Sequence, residues 1–266
     1  MDHKEAGAYW EDNAEAWTRL ARAGCDIYRD FVNTPAFFEL LPDVKGMRGL
    51  DVGCGEGHNT RLLAKRGAQV TGVDVSPTFI RHALKAEAAE KLGITYLVAS
   101  AVELPLPGAS FDFVTATMSL MDIPETDAAL REIHRMLKPG GFLQFSIAHP
   151  CFDTPYRRNL RNERGQTYAI EVGDYFENRK GDIAEWSFKG APAEEVARLK
   201  KFRVPKFTRT LSQWVNLLVA AGFAIEQMAE PRPDDAAVAA CPGVQDAQIV
   251  AYFLQIRARK GGAGCP

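Results

Sequence analysis

Short apolar runs alternate with amphipathic stretches along most of the chain. The runs fall near residues 49–53, 69–74, 94–98, 111–117, 141–148, 223–229 and 249–257. Each is of strand length and bounded by turn residues, so they read as strands. Helical spacing between them predicts one helix opening at Gly57, others over Pro77 to about Lys91 and Pro124 to Leu137, and a last one from Leu211 to Ala221. That last helix is well punctuated, since Thr210 and Gln213 form a capping box and Gly222 offers a left-handed stop. Strands alternating with helices predict an α/β fold, a doubly wound and mostly parallel sheet covered on both faces.

Two segments stand outside this alternation. Trp10, Ala14, Trp17 and Ala21 recur at helical spacing, so residues 5–22 are expected to form an amphipathic helix, ended by Gly24. Between the fifth strand and the last long helix lie about sixty residues, 150–209, far more than a crossover requires. There Thr167 to Val172 and Ile183 to Phe188 alternate like strands around Gly173, Asn178 and Gly181, which predicts a hairpin or small lid. It brings aromatic residues, Tyr168, Tyr175, Phe176, Trp186 and Phe188, to the strand ends where open α/β sheets bind ligands. A satellite core or a dimer contact would use the same residues.

The first strand runs into Leu50-Asp51-Val52-Gly53-Cys54-Gly55-Glu56-Gly57, three glycines on alternate positions behind an acid. The glycines permit a sharp strand-to-helix turn and let a ligand lie against the main chain. A dinucleotide loop spaces its glycines differently and sets an anionic pyrophosphate on the next helix, where a carboxylate would repel it. Asp51 instead suits the sulfonium and ammonium of S-adenosylmethionine. A second strand, Gln69-Val-Thr-Gly-Val-Asp74, ends in an acid about twenty residues later, at the position of a ribose-binding carboxylate. Ser76 and Pro77 supply the next helix with its cap and first-turn proline, which leaves Asp74 free for the ribose.

The Asp-x-Gly-x-Gly-x-Gly motif resembles the signature of class I S-adenosylmethionine-dependent methyltransferases. Three further segments, Ala101-Val-Glu-Leu-Pro-Leu-Pro107, Phe111-Asp-Phe-Val114 and Met136-Leu-Lys-Pro-Gly-Gly-Phe-Leu143, resemble the small-molecule branch that includes the ubiquinone and menaquinone biosynthesis methyltransferases. This resemblance implies a seven-stranded Rossmann-like sheet whose final strand is antiparallel, in one methyltransferase domain over 1–266 with a helical cap over 1–45; the length and aromatic content of 150–209 mark that segment as the inserted lid. It also implies that Asp51, Gly53, Cys54, Gly55, Gly57, Asp74, Val75, Ser100, Ala101, Val102 and Thr117 contact the cofactor. Family members commonly carry an acid where Ser100 stands, and a neutral hydroxyl there accepts the adenine hydrogen bond more weakly. The leading helix would lie over the cofactor, with Tyr9, Trp17 or Tyr28 facing the sulfonium or serving as core anchors.

Composition narrows the partners. The 266 residues and 46% hydrophobic content suit one large α/β domain, and a net charge of −2 gives no footprint for DNA or RNA. Five cysteines without a Cys-x-x-Cys pair, and five histidines without ligand spacing, suggest reduced thiols and no metal site. The amino terminus lacks a secretory core and no stretch is long enough to span a bilayer, so a cytoplasmic monomer or homodimer acting on a small molecule is expected.

The candidate chemistry sits at strand ends. His149 follows Phe145-Ser-Ile-Ala148 and reads either as the general base or as a hydrogen-bonded turn residue. Met118, Ser119 and Met121 are expected to wall the acceptor pocket, with Tyr175 and Trp186 from the lid. Asp122 reads either as a group that orients the substrate or, the favoured reading, as the start of a capping box, Asp122-Ile-Pro-Glu125, with proline in the first turn. Arg157, Arg158, Arg161 and Arg164 read as a clamp for an acidic group or as one solvated helix face, and Arg209 is a separate carboxylate-binding candidate. The aromatic lid favours an apolar or aromatic acceptor. Besides a methyltransferase, a non-catalytic adenosyl-binding module and a nicotinamide oxidoreductase remain to be distinguished; glycine spacing and Asp51 argue against the last.

Overall fold

In the computed structural model, which describes residues 1–192, 194 and 201–261, the chain opens with helix α1 (His3–Arg22), a π-helical turn (Arg29–Asn33) and α2 (Thr34–Leu40). Then follow β1 (Arg48–Val52), α3 (His58–Lys65), β2 (Gln69–Asp74), α4 (Pro77–Glu90), β3 (Thr95–Val98), β4 (Phe111–Thr117), α5 (Thr126–Met136) and β5 (Leu137–Ala148). The insertion carries β6 (Tyr156–Arg161), β7 (Thr167–Gly173), β8 (Lys180–Trp186) and β9 (Phe202–Phe207). The chain closes with α6 (Leu211–Ala220), β10 (Phe223–Ala229), α7 (Asp235–Ala240) and β11 (Phe253–Lys260).

Seven strands form one sheet in the order β10-β11-β5-β4-β1-β2-β3, and only β11 runs antiparallel to its neighbours. This is the seven-stranded, mostly parallel architecture expected. One face carries Leu50, Val52, Val114, Leu143, Phe145 and Ile147 against Leu130, Ile133, Trp214 and Leu218 of α5 and α6. The other face buries Phe113 and Phe142 against Phe37 of α2 and Leu63 of α3. Polar side chains share that second face. Gln144 donates to Phe37 O at 2.7 Å, Asn33 donates to Ser146 Oγ at 3.0 Å, and Gln255 donates to Asn33 O at 2.9 Å. Each of these buried amide nitrogens thus finds an acceptor, and the π-helical turn is locked onto the centre of the sheet.

Three expectations are corrected. The last strand begins at Phe253, four residues beyond 249, because a 3₁₀ turn over Pro242–Gln248 consumes the chain first. Thr167–Val172 and Ile183–Phe188 do not pair with each other: β7 pairs with β6 and β8 with β9, so the described residues of the insertion form two antiparallel strand pairs. The arginine-rich stretch is the strand β6 and no helix; Arg158 pairs with Glu171 at 2.8 Å and Arg161 donates to Gly165 O at 2.8 Å. Among the described residues no helix is long and apolar enough to cross a membrane.

Candidate active site

A cavity of about 520 Å³ opens at the carboxyl ends of β1, β2 and β4. Its floor is the glycine loop. Val73 O accepts the amides of Gly53 and Cys54 at 2.8 and 3.0 Å, which folds the loop back over the end of β2. Gly53 has φ +67, and a Cβ there would run into Ser119; the space beside Gly55 is open, so a Cβ would protrude into it. Gly57 caps α3 at φ +84 and does not line the cavity.

Both expected carboxylates line this floor, each already engaged. Asp51 is 2% exposed and accepts hydroxyl hydrogen bonds from Thr60 at 2.6 Å and Thr115 at 2.8 Å. Asp74 is not left free by the Ser76 cap: it accepts the amides of Gly55 at 2.8 Å and Ser76 at 2.9 Å, one on each oxygen, while Ser76 Oγ still caps Phe79 N. A carboxylate has about four lone-pair sites, so each oxygen retains room for a ligand hydroxyl. Burial pushes both acids up to about 6 against the pull of those donors. Burial also raises the Cys54 thiol.

Val75, Ser100, Ala101 and Thr117 complete this half of the wall; Val102 packs against the core instead. The Thr117 hydroxyl is buried and has no hydrogen-bond partner among the described residues. Opposite stand Ala6, Gly7, Trp10 and Trp17 of α1, with Gly7 against Val75. Glu11 ties α1 to the start of α4 by accepting Thr78 Oγ1 at 2.6 Å and Thr78 N at 3.0 Å. Trp17 is the hub of an aromatic box, its ring 4.8–5.2 Å from those of Trp10, Trp186, Phe188 and Phe202. Helix and insertion meet around this residue, and beside it Asn13 donates to Arg203 O at 3.0 Å while Arg203 lies over Tyr9.

The far end of the cavity is walled by Met118, Ser119, Met121, Asp122, Asp153, Arg157, Trp186, Lys206 and Tyr252. Arg157 lies over Tyr252 at 4.0 Å. Met118 adopts φ +54, a strained turn for a non-glycine residue, after which Ser119 Oγ anchors the loop to Val52 O at 2.7 Å. A side pocket of about 140 Å³ adjoins, sharing Met121, Asp122, Ala148, Asp153 and Lys206. Tyr175 and Arg209 line that pocket and not the main cavity. The Tyr175 hydroxyl accepts Leu211 N at 2.9 Å; Arg209 donates to Pro124 O at 3.0 Å and lies over Trp214.

Of the two readings of His149 the structure has the hydrogen-bonded turn residue, and Asp122 departs from its capping role. His149 is 3% exposed and lines neither cavity: Nε2 meets Glu230 at 2.8 Å, and Nδ1 accepts Cys151 N at 3.2 Å. Its ring is spent on the turn after β5. Asp122 forms no capping box, because α5 is capped at Glu125 without a side-chain bond and Thr126 Oγ1 donates to Ile123 O. Asp122 closes a 3₁₀ turn and faces the cavities instead. Lys206 and Asp153 were not singled out in the sequence. Lys206 shares a strand face with the buried Phe202 and Val204, and a lone cation on an apolar face is the signal that marks it.

A sheet with one antiparallel strand next to the last, and a glycine loop facing an acid at the end of the second strand, define an S-adenosylmethionine-binding α/β enzyme. Residues 50–145 match the family model described as a methyltransferase domain. The chain is 35% identical over 223 residues to the 27-O-demethylrifamycin SV methyltransferase of Amycolatopsis mediterranei, covering 79% of this chain and 74% of that one. It is 28% identical over 200 residues to a ubiquinone biosynthesis O-methyltransferase of Coxiella burnetii, covering 70% and 81%. A crystal structure of an S-adenosylmethionine-dependent methyltransferase from Mesorhizobium loti aligns with TM-score 0.68 and 31% identity over 85% of this chain and 96% of that one. The chain belongs to the S-adenosylmethionine-dependent methyltransferases, and it transfers methyl groups to a small-molecule acceptor.

Proposed function

We propose that the acceptor is a small apolar or aromatic molecule methylated on a hydroxyl oxygen in the far half of the main cavity. The observation that carries this reading is continuity: one cavity runs from the glycine loop to the wall of Met118, Met121 and Trp186. Gly53 and Gly55 expose backbone to the methionine half of the cofactor, Asp74 takes the ribose, and Ser100 and Ala101 meet the adenine. Bound S-adenosylmethionine supplies a methyl carbon on a sulfonium, which the acceptor attacks in line. The chain's part is to hold donor and acceptor at attack distance and exclude water, which α1 and the inserted strand pairs do by covering the strand ends. Two relatives named for methylation of oxygen support a hydroxyl acceptor.

Calorimetry with S-adenosylhomocysteine and a mass-detected screen of phenols and hydroxylated polyketides test the reading. Binding that weakens at least tenfold in Asp74→Ala, together with a methyl adduct on a hydroxyl, is the expected result. Absence of binding by the wild-type protein overturns it.

A further inference from the structure

Asp122 is 9% exposed, and no described residue donates a hydrogen bond to its carboxylate. The other buried acids of the cavity differ. Asp51 and Asp74 each accept two donors, as described above, and Asp26 accepts the amide of Arg29. Burying an acid without donors is costly, and a native structure keeps such a group for a reason. The exposure that remains to Asp122 opens where the main cavity and the side pocket meet, beside Met121. Its backbone is fixed: Asp122 N donates to Ser119 O at 3.0 Å, and Ser119 is tied to the end of β1.

We propose that Asp122 is the proton acceptor for the hydroxyl that is methylated. As the acceptor oxygen bonds to the methyl carbon and the carbon–sulfur electron pair is left on sulfur, the O–H pair stays with the oxygen and the proton passes to Asp122 Oδ, then to water. The inference rests on the methyl-transfer reading above. The charged groups facing Asp122 are Lys206 on β9 and Asp153 in the loop after β5; burial favours the acid and outweighs Lys206, which favours the carboxylate, and Asp153 acts in the same direction as burial. The result is a carboxyl poised at about 7, where a general base works best near neutral pH. Asp153, which shares this junction, is exposed to solvent, and two histidines stand apart from it. The His149 nitrogens are occupied outside the cavity, and His58 sits with Glu56 at the glycine-loop end.

The test uses the full chain and Asp122→Asn, which keeps shape and removes the base. S-adenosylhomocysteine affinity by calorimetry should agree within about twofold between the two proteins; wild-type failure to bind speaks against the methyl-transfer reading, whereas a loss confined to the variant makes Asp122 a structural part of the cofactor site and overturns this proposal. In the S-adenosylhomocysteine complex, an infrared carboxyl band absent from the variant should titrate near pH 7. A carboxylate fully ionised at about pH 5 overturns the proposal. With catechol, 4-hydroxybenzoate and 1-naphthol as probes, turnover should fall at least about 10²-fold in Asp122→Asn and lose its acidic limb, with part of the rate restored in Asp122→Glu. Wild-type rates and an unchanged pH profile in the asparagine variant overturn it. If none of the three probes is methylated, the titration alone decides.

Discussion

The two halves of the cavity are built in different ways. The cofactor half is backbone: a loop between β1 and α3 folded onto Val73 O, a carboxylate at the end of β2 holding loop amides, and a hydroxyl at the end of β4. The acceptor half is side chains gathered from distant segments, Trp17 from α1, Asp122 after β4, and Trp186 and Lys206 from separate strands of the insertion. A backbone site tolerates few residue types and is correspondingly rigid. A side-chain site can be rebuilt without disturbing the sheet, which suits a surface that selects among acceptors.

The comparison breaks most severely at Gly53. Valine there combines a β-branched side chain at φ +67 with a collision against Ser119. About 3 kcal/mol of stability and all measurable S-adenosylhomocysteine affinity should be lost, as read by chemical denaturation and calorimetry. A glycine-loop variant that still binds would mean that side chains, and not the loop, hold the cofactor.

Legibility follows the same division. The loop, Asp51, Asp74 and all seven sheet strands, with β5 and β11 displaced by four residues at their starts, could be placed from sequence because each depends on neighbours within a few residues: apolar period, turn glycine, strand-end acid. What escaped reading depends on contacts across the chain. Pairing of β7 with β6 and of β8 with β9 cannot be read from alternation, since either partner satisfies the same period. The Asp122 capping box matched in sequence, yet the helix began three residues later than that cap requires, at Thr126, and freed the carboxylate for the cavity. The missed α2 and π-helical turn owe their place to Gln144, Ser146 and Gln255, polar residues inside strands that read as apolar.

Acidity sharpens the comparison next. Asp26, Asp51 and Asp74 are raised to about 6 and Asp122 to about 7, all chiefly by burial. An acid raised in the folded state holds its proton where the unfolded chain has lost it, so its contribution is most favourable below about pH 4 and declines until the folded group ionises. Carboxylates lowered by hydrogen bonds, such as Glu11 and Glu226, contribute fully above about pH 5 and do not shape the neutral range. The cofactor-free protein should therefore melt at higher temperature at pH 5 than at pH 8. Asp122→Asn should flatten the upper part of that slope, between about pH 6 and 8, while the lower part remains with the other three acids. A melting temperature that rises from pH 5 to pH 8 would remove the premise that these acids are buried at a cost.

Trp17 joins the two halves, and Trp17→Ala empties the centre of the aromatic box. Loss of about 2–4 kcal/mol is expected, together with acceptor turnover falling much further than S-adenosylhomocysteine affinity, since Asp74 and the loop stay in place. Equal losses in both would show that the helix, and not the insertion, is what Trp17 serves.

The smallest effect is expected at His149, whose position at the end of a central strand invites assignment as a base. Strand position alone does not aim a side chain. The backbone amide of His149 bonds Tyr252 O at 2.9 Å, Nδ1 accepts Cys151 N, and Nε2 meets a Glu230 that is itself 59% exposed. Nδ1 thus serves the turn that leads from β5 into the insertion, and Nε2 ties that turn to Glu230, just after β10. His149→Ala leaves the Cys151 amide without its acceptor, for about 1–2 kcal/mol of stability, but removes nothing from the cavity wall. Turnover should stay within about threefold of wild type with the pH profile intact, because a missing general base costs about 10²-fold or more. A drop of that size, together with loss of the acidic limb, would return the base to His149 and leave Asp122 as a residue that shapes the pocket.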